Sequence, residues 1–408
     1  MDNMIRGSFD LLKQLNVSMI LQCIRKHGSI SRAELAKRTG LTPASVSKIT
    51  KELMKRGFIY ESGMGKSNGG RPPILLDLNA QAGYIIGVNL GPEFLEVVVT
   101  DLEAEILTSV GEKLENLSKD YVLDELYELI RQVMAKSEIE QDDFIGIGMA
   151  VHGLVNNKTG VSIFAPHYHW ENVKIKELIE AEFGLPVFID NDVRAMALGE
   201  SWFGAAQNND NFIVINISNG VGAGIVINGE LYSGSSYSAG EIGHMVVDNS
   251  GPKCSCGNYG CLESLVSDLR LINKAQKLIK QGVETKIIEL ANNNLAEITV
   301  EIICQAANKG DETAQHLLKE AGRYLGIAIS YLLNILNPEL VVIVGGVIKA
   351  EDYVFKSIKE IINNKALKLS AKSVSLLSTN LAEKAATIGG ATLVLEELFK
   401  ESELLEEG

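Results

Sequence analysis

Residues 31–53 read SRAELAKRTGLTPASVSKITKEL, two short helical patterns joined by a glycine turn. Ser31-Arg32-Ala33-Glu34 is a capping box, in which a hydroxyl and a carboxylate satisfy the open N–H groups of a helix start. The helix it opens should run to about Arg38. Thr39-Gly40-Leu41 supplies a tight turn. Thr42-Pro43 is an N-cap followed by proline at the first helical position, where the missing N–H has no partner to lose. The next helix should bury Val46, Ile49 and Leu53 and turn Ala44, Ser45, Ser47, Lys48 and Lys51 outward. Small hydroxyl and cationic side chains at the start of such a helix suit base edges and phosphates, and Arg32 and Thr42 join this surface.

Upstream, Val17, Ile20, Leu21 and Ile24 have helical spacing between Asn16, a suitable N-cap, and Gly28, a stop. Downstream, Phe58-Ile59-Tyr60 and Ile74-Leu75-Leu76 read as strands flanking a loop from Glu61 to Pro73, a wing with Lys66 and Arg71 at its tip. Arginine on a Gly-Pro loop can enter a narrow minor groove, where negative potential is greatest. Residues 1–80 hold thirteen Lys and Arg against six Asp and Glu, a balance of +7, leaving −21 for the rest of a chain whose net charge is −14. A basic head on an acidic body concentrates attraction for phosphates in one place. The plainer alternative is a three-helix protein-binding module with Arg71 as a solvated loop charge.

The chain has 408 residues, 46% hydrophobic and 22% charged, enough for two or three units with real cores. No apolar leader is visible in residues 1–10, and the longest apolar stretch, Tyr324–Leu336, is interrupted by Ser330 and Asn334, so a buried helix is expected rather than a membrane span. A cytoplasmic protein is expected, with its five cysteines as reduced thiols or metal ligands. From Tyr84 the pattern changes to strands. Residues 84–100 and 212–227 each read as strand, glycine turn, strand, which suggests two related α/β lobes with a cleft between them.

Ile145-Gly146-Ile147-Gly148 through Gly153-Leu154-Val155, Asp190-Asn191-Asp192-Val193-Arg194-Ala195, Gly220-Val221-Gly222-Ala223-Gly224, Ala239-Gly240-Glu241-Ile242-Gly243-His244, residues 254–263 and Pro338 to Gly346 give the body a specific likeness. It resembles the ROK family (repressors, open reading frames and sugar kinases) over nearly all of residues 80–400. With its N-terminal head the chain resembles the repressor branch, and most closely the xylose repressors. The resemblance implies an α/β chain: a winged helix-turn-helix over residues 1–79, then a two-lobed actin-like, ribonuclease-H-like sugar-kinase fold. Residues 80–195 would form a small lobe, completed by a C-terminal helix at 385–400, and residues 196–384 a large lobe.

Cys254, Cys256 and Cys261 lie within eight residues, with glycines that let the backbone fold the thiolates together. Three thiolates and one imidazole make a closed tetrahedral zinc site, structural because no position is left for water. His244 is the best fourth ligand, and the family places zinc there. Buried reduced thiols or a labile disulfide are the alternatives. Cys23 and Cys304 fall on apolar helix faces and are expected in the core.

Sugar hydroxyls are recognised by carboxylates and amides. The resemblance assigns sugar contacts to Gly153, Asn191, Asp192, Glu241, His244 and Glu263, with Asp192 in the position of the kinases' general base. Taken alone, Asn191-Asp192 reads equally as a turn and helix cap. The nucleotide grip departs from the kinases. Their first phosphate loop begins Asp-x-Gly-Gly-Thr, and here it is Asn89-Leu90-Gly91-Pro92-Glu93. In the second loop their Gly-Thr-Gly is Ser218-Asn219-Gly220. Proline removes an N–H and glutamate repels phosphate, so Asp192 would be a vestigial base and the chain no enzyme. The expectation is a repressor that binds palindromic operator DNA as a homodimer or dimer of dimers, with a monosaccharide effector, xylose first, and no membrane partner. A sugar kinase with a DNA-binding head and a zinc-responsive regulator are the alternatives.

Overall fold

The computed structural model describes residues 2–66 and 72–400, with side chains from Leu15 onward. Arg71, assigned above to the wing tip, lies outside the described residues. The head comprises α1 (Asp2–His27), β1 (Ile30–Ser31), α2 (Arg32–Thr39), α3 (Pro43–Lys55), β2 (Ile59–Met64) and β3 (Ile74–Leu78), with a sheet of order β1-β3-β2. The cap chemistry is as the sequence predicts. Ser31 Oγ accepts from Glu34 N, Thr42 Oγ1 accepts from Ser45 N, and Gly40 takes φ +71. Two boundaries differ. α1 begins at Asp2 rather than near Asn16, because no Gly or Pro interrupts residues 8–27. β2 continues to Met64, past a bulge between Glu61 and Gly63, so the wing loop begins at Gly65 rather than Glu61.

The body begins with β4 (Tyr84–Leu90), β5 (Phe94–Thr100), β6 (Ile106–Lys113), α4 (Lys119–Ser137), β7 (Phe144–Val151), β8 (Leu154–Asn156), β9 (Val161–Ala165), β10 (Trp170–Val173), α5 (Ile175–Phe183), β11 (Val187–Asn191) and α6 (Asp192–Trp202). It continues with β12 (Phe212–Ile217), β13 (Val221–Ile227), β14 (Glu230–Leu231), α7 (Glu263–Val266), α8 (Asp268–Lys280), α9 (Lys286–Leu290), α10 (Val300–Asn308) and α11 (Glu312–Leu336). The chain then forms β15 (Leu340–Gly345), α12 (Glu351–Lys365), α13 (Lys368–Ser373), β16 (Ser375–Ser378) and α14 (Ala385–Lys400). Two five-stranded sheets, β11-β7-β4-β5-β6 and β14-β13-β12-β15-β16, share one topology. In each, three antiparallel strands are followed by two parallel ones. The duplicated lobes inferred from the two glycine hairpins are therefore present.

α6 and α14 lie between the sheets, and the approach is close enough to require glycine. A Cβ on Gly148 would stand 1.9 Å from the Gly390 carbonyl oxygen, and one on Gly389 would stand 2.2 Å from that of Ala195. α6 runs unbroken through residues 195 and 196, so a lobe boundary drawn there would cut a helix held by both sheets. The head has no separate core. Ile20, Leu21 and Ile24 of α1 pack with Ile85, Leu102, Val394, Leu395 and Phe399 of the body. Cys304 is buried as expected, and Cys23 is half-buried beside His27, packed against the core that α1 shares with the body. Among the described residues no helix is long and apolar enough to cross a membrane.

Gly148→Ala is expected to destabilise the protein by about 1–3 kcal/mol, the range for overpacking, visible as a lower Tm in thermal unfolding. An unchanged Tm would mean that α14 slides on the sheet at no cost.

Candidate functional site

A cavity of about 510 Å³ opens between the lobes, and Gly153, Asn191, Asp192, Glu241, His244 and Glu263 all line it. The turn from β11 into α6 builds one wall. Asn191 caps α6, its Oδ1 accepting from Val193 N and Arg194 N, while its Nδ2 donates to Gly153 O at 3.0 Å and to Asp192 Oδ1 at 2.8 Å. Every polar atom of that amide is taken by the protein, so Asn191 positions Asp192 rather than offering a free donor. Beneath them Asp190 and Arg194, 1% and 2% exposed, form an ion pair at 2.5 Å. Arg194 also donates to Val155 O of β8 and to Tyr237 O of the opposite lobe, and Asp190 accepts from Asn157.

The other wall comes from the segment after β13. Ala223 N donates to Gly240 O, which lays Glu241 along the sheet. Burial pushes the Glu241 carboxyl above its ordinary pKa; His244 opposes the shift and the charges of Asp192 and Glu263 add to it. Glu263, at the start of α7, accepts from Val221 N at 3.3 Å and from Ser255 Oγ at 3.4 Å.

Behind this wall the ligand atoms of His244, Cys254, Cys256 and Cys261 lie within 4.8 Å of one another. Cys256 Sγ is 3.7 Å from Cys261 Sγ, and Cys254 Sγ is 3.6 Å from His244 Nδ1. Such spacings match the edge of a tetrahedron centred about 2.3 Å from each sulfur, and they are far from a disulfide's S–S bond of about 2 Å. Gly257 and Gly260 have positive φ, and a Cβ on Gly260 would stand 1.6 Å from Asp248 O. A hydrogen bond from the Asn258 backbone holds the Cys256 thiol below its ordinary pKa, toward the thiolate that metals prefer. A divalent metal fits this donor set. It would take His244 Nδ1 and leave Nε2 for the cavity, so that one imidazole would serve both sites.

Two cavity residues escape sequence reasoning: His152, directly after β7, and His167, in the turn after β9. His152 Nδ1 is 3.4 Å from Asp192 Oδ2. Burial pulls His152 down, but the hydrogen bond and charge of Asp192, with Glu241 and Glu263, leave it above the ordinary histidine pKa. The chemical type of these side chains was a signal, but their spacing was not. The first phosphate loop also meets the cavity. Gly91 N donates to Phe94 O, Gly91 O accepts from Tyr168 Oη, and Pro92 lines the wall. In the second loop Ser218 N donates to Gly220 O and Val221 N to Glu263, so neither N–H is free.

On the head, Thr42, Ala44, Ser47, Lys48, Lys51 and Lys66 are exposed, and Ser45 is half-exposed with its hydroxyl bonded to Thr42. The partly exposed guanidinium of Arg32 donates to Thr50 Oγ1 and to Glu61, both at 3.2 Å, and so braces α2 on α3 and β2.

Residues 85–397 match the model of the ROK family, and residues 16–60 that of winged helix-turn-helix DNA-binding domains. The chain is 35% identical to the putative xylose repressor of Caldicellulosiruptor sp. (strain Rt8B.4), covering 96% of this chain and 98% of that one. It is 33% identical to the DNA-binding transcriptional dual regulator NagC of Escherichia coli (strain K12), over 95% of this chain and 94% of the relative. The crystal structure of a ROK family transcriptional regulator, a homologue of the E. coli Mlc protein, superposes with a TM-score of 0.85 at 33% identity, covering 97% and 98% of the two chains. The chain thus belongs to the ROK family, with a winged helix-turn-helix joined to the family's two-lobed body.

Proposed function

We propose that this protein is a sugar-responsive transcriptional repressor, which binds operator DNA through its head and a monosaccharide in the interlobe cavity. One observation carries the reading. Helix α6 begins at Asp192 in the cavity and ends at Trp202, on which the head rests. The Arg25 guanidinium of α1 lies 3.8 Å from the centre of a Trp202 ring and donates to Trp202 O at 3.4 Å. Trp202 in turn meets Phe399 of α14 edge to face. Eleven helical residues span about 16 Å, and a stacked guanidinium is worth about 1–2 kcal/mol. A sugar that draws the lobes together on Asp192 would tilt α6 and move α1 with it. The sugar must bind the two states differently, and operator affinity then changes by the same coupling free energy. A small head of this kind binds weakly alone, which favours a homodimer on a palindromic operator. Relatives named as xylose repressors make xylose the first sugar to test, and an Escherichia coli relative named as the N-acetylglucosamine repressor makes N-acetylglucosamine the second.

The metal is zinc by its donor set of three thiolates and one imidazole. It would act by holding the segment from His244 to Glu263 in shape, with no step of chemistry. A sugar kinase is the second reading, favoured by Asp192 in the position of a base. Against it stands the nucleotide side of the cavity, where Ser218 N donates to Gly220 O and Val221 N to Glu263. The first phosphate loop offers proline and glutamate where phosphate needs N–H groups. A coupled ADP-release assay over common aldoses separates the two, and turnover lost in Asp192→Asn would establish the kinase.

Three further outcomes are expected. Asp192→Ala should retain the operator and lose the sugar response in mobility-shift titrations; normal release by sugar would place the sensor elsewhere. Trp202→Leu should still bind sugar by calorimetry, while sugar's effect on operator affinity shrinks by about the stacking energy, roughly tenfold. Cys256→Ser should lose zinc by elemental analysis and lower the Tm; full zinc content would refute the ligand set.

A further inference from the structure

Asp192 does not face the cavity alone. Its Oδ2 lies 3.4 Å from Nδ1 of His152, and Nε2 of His152 lies 3.1 Å from Nδ1 of His167. The two rings meet nearly at right angles, with centroids 4.9 Å apart. Each member is held from behind. Asn191 and Val193 N fix Asp192 Oδ1, His152 N donates to Leu90 O at 3.0 Å, and Tyr168, the neighbour of His167, is anchored to Gly91 O. Three side chains from separate elements thus form one line of hydrogen bonds across the cavity wall. The line ends at His167 Nε2, which no described residue bonds.

Such a line fixes the polarity of its free end. An ionised Asp192 only accepts, so His152 Nδ1 carries a proton. With His152 neutral, its Nε2 is a lone pair, His167 donates from Nδ1, and His167 Nε2 faces the cavity as an acceptor. With His152 protonated, both of its nitrogens donate, His167 Nδ1 accepts, and His167 Nε2 becomes an N–H donor. The carboxylates on the cavity, those of Asp192, Glu241 and Glu263, only accept when ionised, and among the described residues no Lys or Arg lines it.

We propose that His167 determines which sugar the cavity takes, reading one hydroxyl of a neutral, unphosphorylated monosaccharide through Nε2, and that His152 is the positioning residue that sets the polarity of that nitrogen. This inference rests on the reading of the cavity as a sugar pocket. A hydroxyl both donates and accepts, so it can satisfy the carboxylates and the imidazole together. A phosphate only accepts at neutral pH and would be repelled by the carboxylates. The two imidazoles share one hydrogen bond, so the protonation of each bears on the other. Burial opposes a charge on His152, while Asp192, Glu241 and Glu263 outweigh it and raise its pKa. Burial and the charge of His152 lower His167, against the pull of Glu93 and Glu263, so His152 takes the proton first.

The test is calorimetric titration of the full chain with D-xylose, D-glucose, N-acetyl-D-glucosamine and D-glucose 6-phosphate. A neutral sugar binds and the phosphate does not. His167→Leu weakens that sugar about tenfold or more, the worth of one buried hydrogen bond. His167→Asn, whose amide can donate and accept, recovers part of the loss and alters the order of preference among the neutral sugars. The wild-type Kd changes between roughly pH 6 and pH 8, and His152→Asn alters that dependence, because His167 alone is then left to titrate in the line. The Tm and the operator affinity without sugar show that each variant is folded. Binding by His167→Leu within about twofold of wild type, in the same order of sugars, overturns the proposal, as does tighter binding of the phosphate than of any neutral sugar. A wild-type chain that binds none of the four overturns the sugar-pocket reading and this inference with it.

Discussion

The ion pair between Asp190 and Arg194 holds the place where everything else meets. Two opposite charges taken out of water are stable only when their remaining hydrogen-bonding capacity is filled, and here it is. Asn157 takes the second Asp190 oxygen, and Val155 O and Tyr237 O take the rest of the guanidinium. Those partners belong to β8 on one side of the cleft and to the loop before Glu241 on the other. One buried cation therefore sets the spacing of both cavity walls and the direction in which α6 leaves the sheet. Removing either partner alone strands a buried charge, a penalty of about 3–5 kcal/mol. Asn191 and Asp192 inherit their positions from this pair.

From that junction the fold runs as continuous packing to the head. α6 and α14 lie between the two sheets at glycine contacts so close that neither can move without the other. α14 carries Val394, Leu395 and Phe399 into the core that also contains Ile20, Leu21 and Ile24 of α1. The head is therefore packed on a helix that lies between the two sheets rather than hung from a linker. Charge divides in the opposite sense. The basic excess of residues 1–80 sits on an otherwise acidic protein, so DNA is attracted to the head and repelled by the body that controls it.

Local chemistry was readable and long-range convergence was not. Ser31, Gly40 and Thr42-Pro43 announce helix ends because caps and turns act within four residues. The two glycine hairpins and the cysteine cluster were legible for the same reason, since strand alternation and ligand spacing are short-range patterns. The start of α1 was misplaced because Asn16 has cap chemistry but sits in an uninterrupted helix. The bonds of Arg32 to Thr50 and Glu61, 18 and 29 residues away, leave no local pattern to read. His152 and His167 went unnoticed because they come from loops after different strands, and only the folded sheet brings them to Asp192. The cavity lining was thus half visible: the carboxylates stand in motifs, the imidazoles do not.

The central claim is that sugar in the cleft and DNA on the head are linked through one structure. Linkage makes the test reciprocal. Sugar affinity should be measured by calorimetry on the free protein and on the protein saturated with its operator. The two sugar dissociation constants should differ by the same factor by which saturating sugar changes operator affinity. Identical sugar affinity with and without operator would contradict it, whatever either ligand does alone.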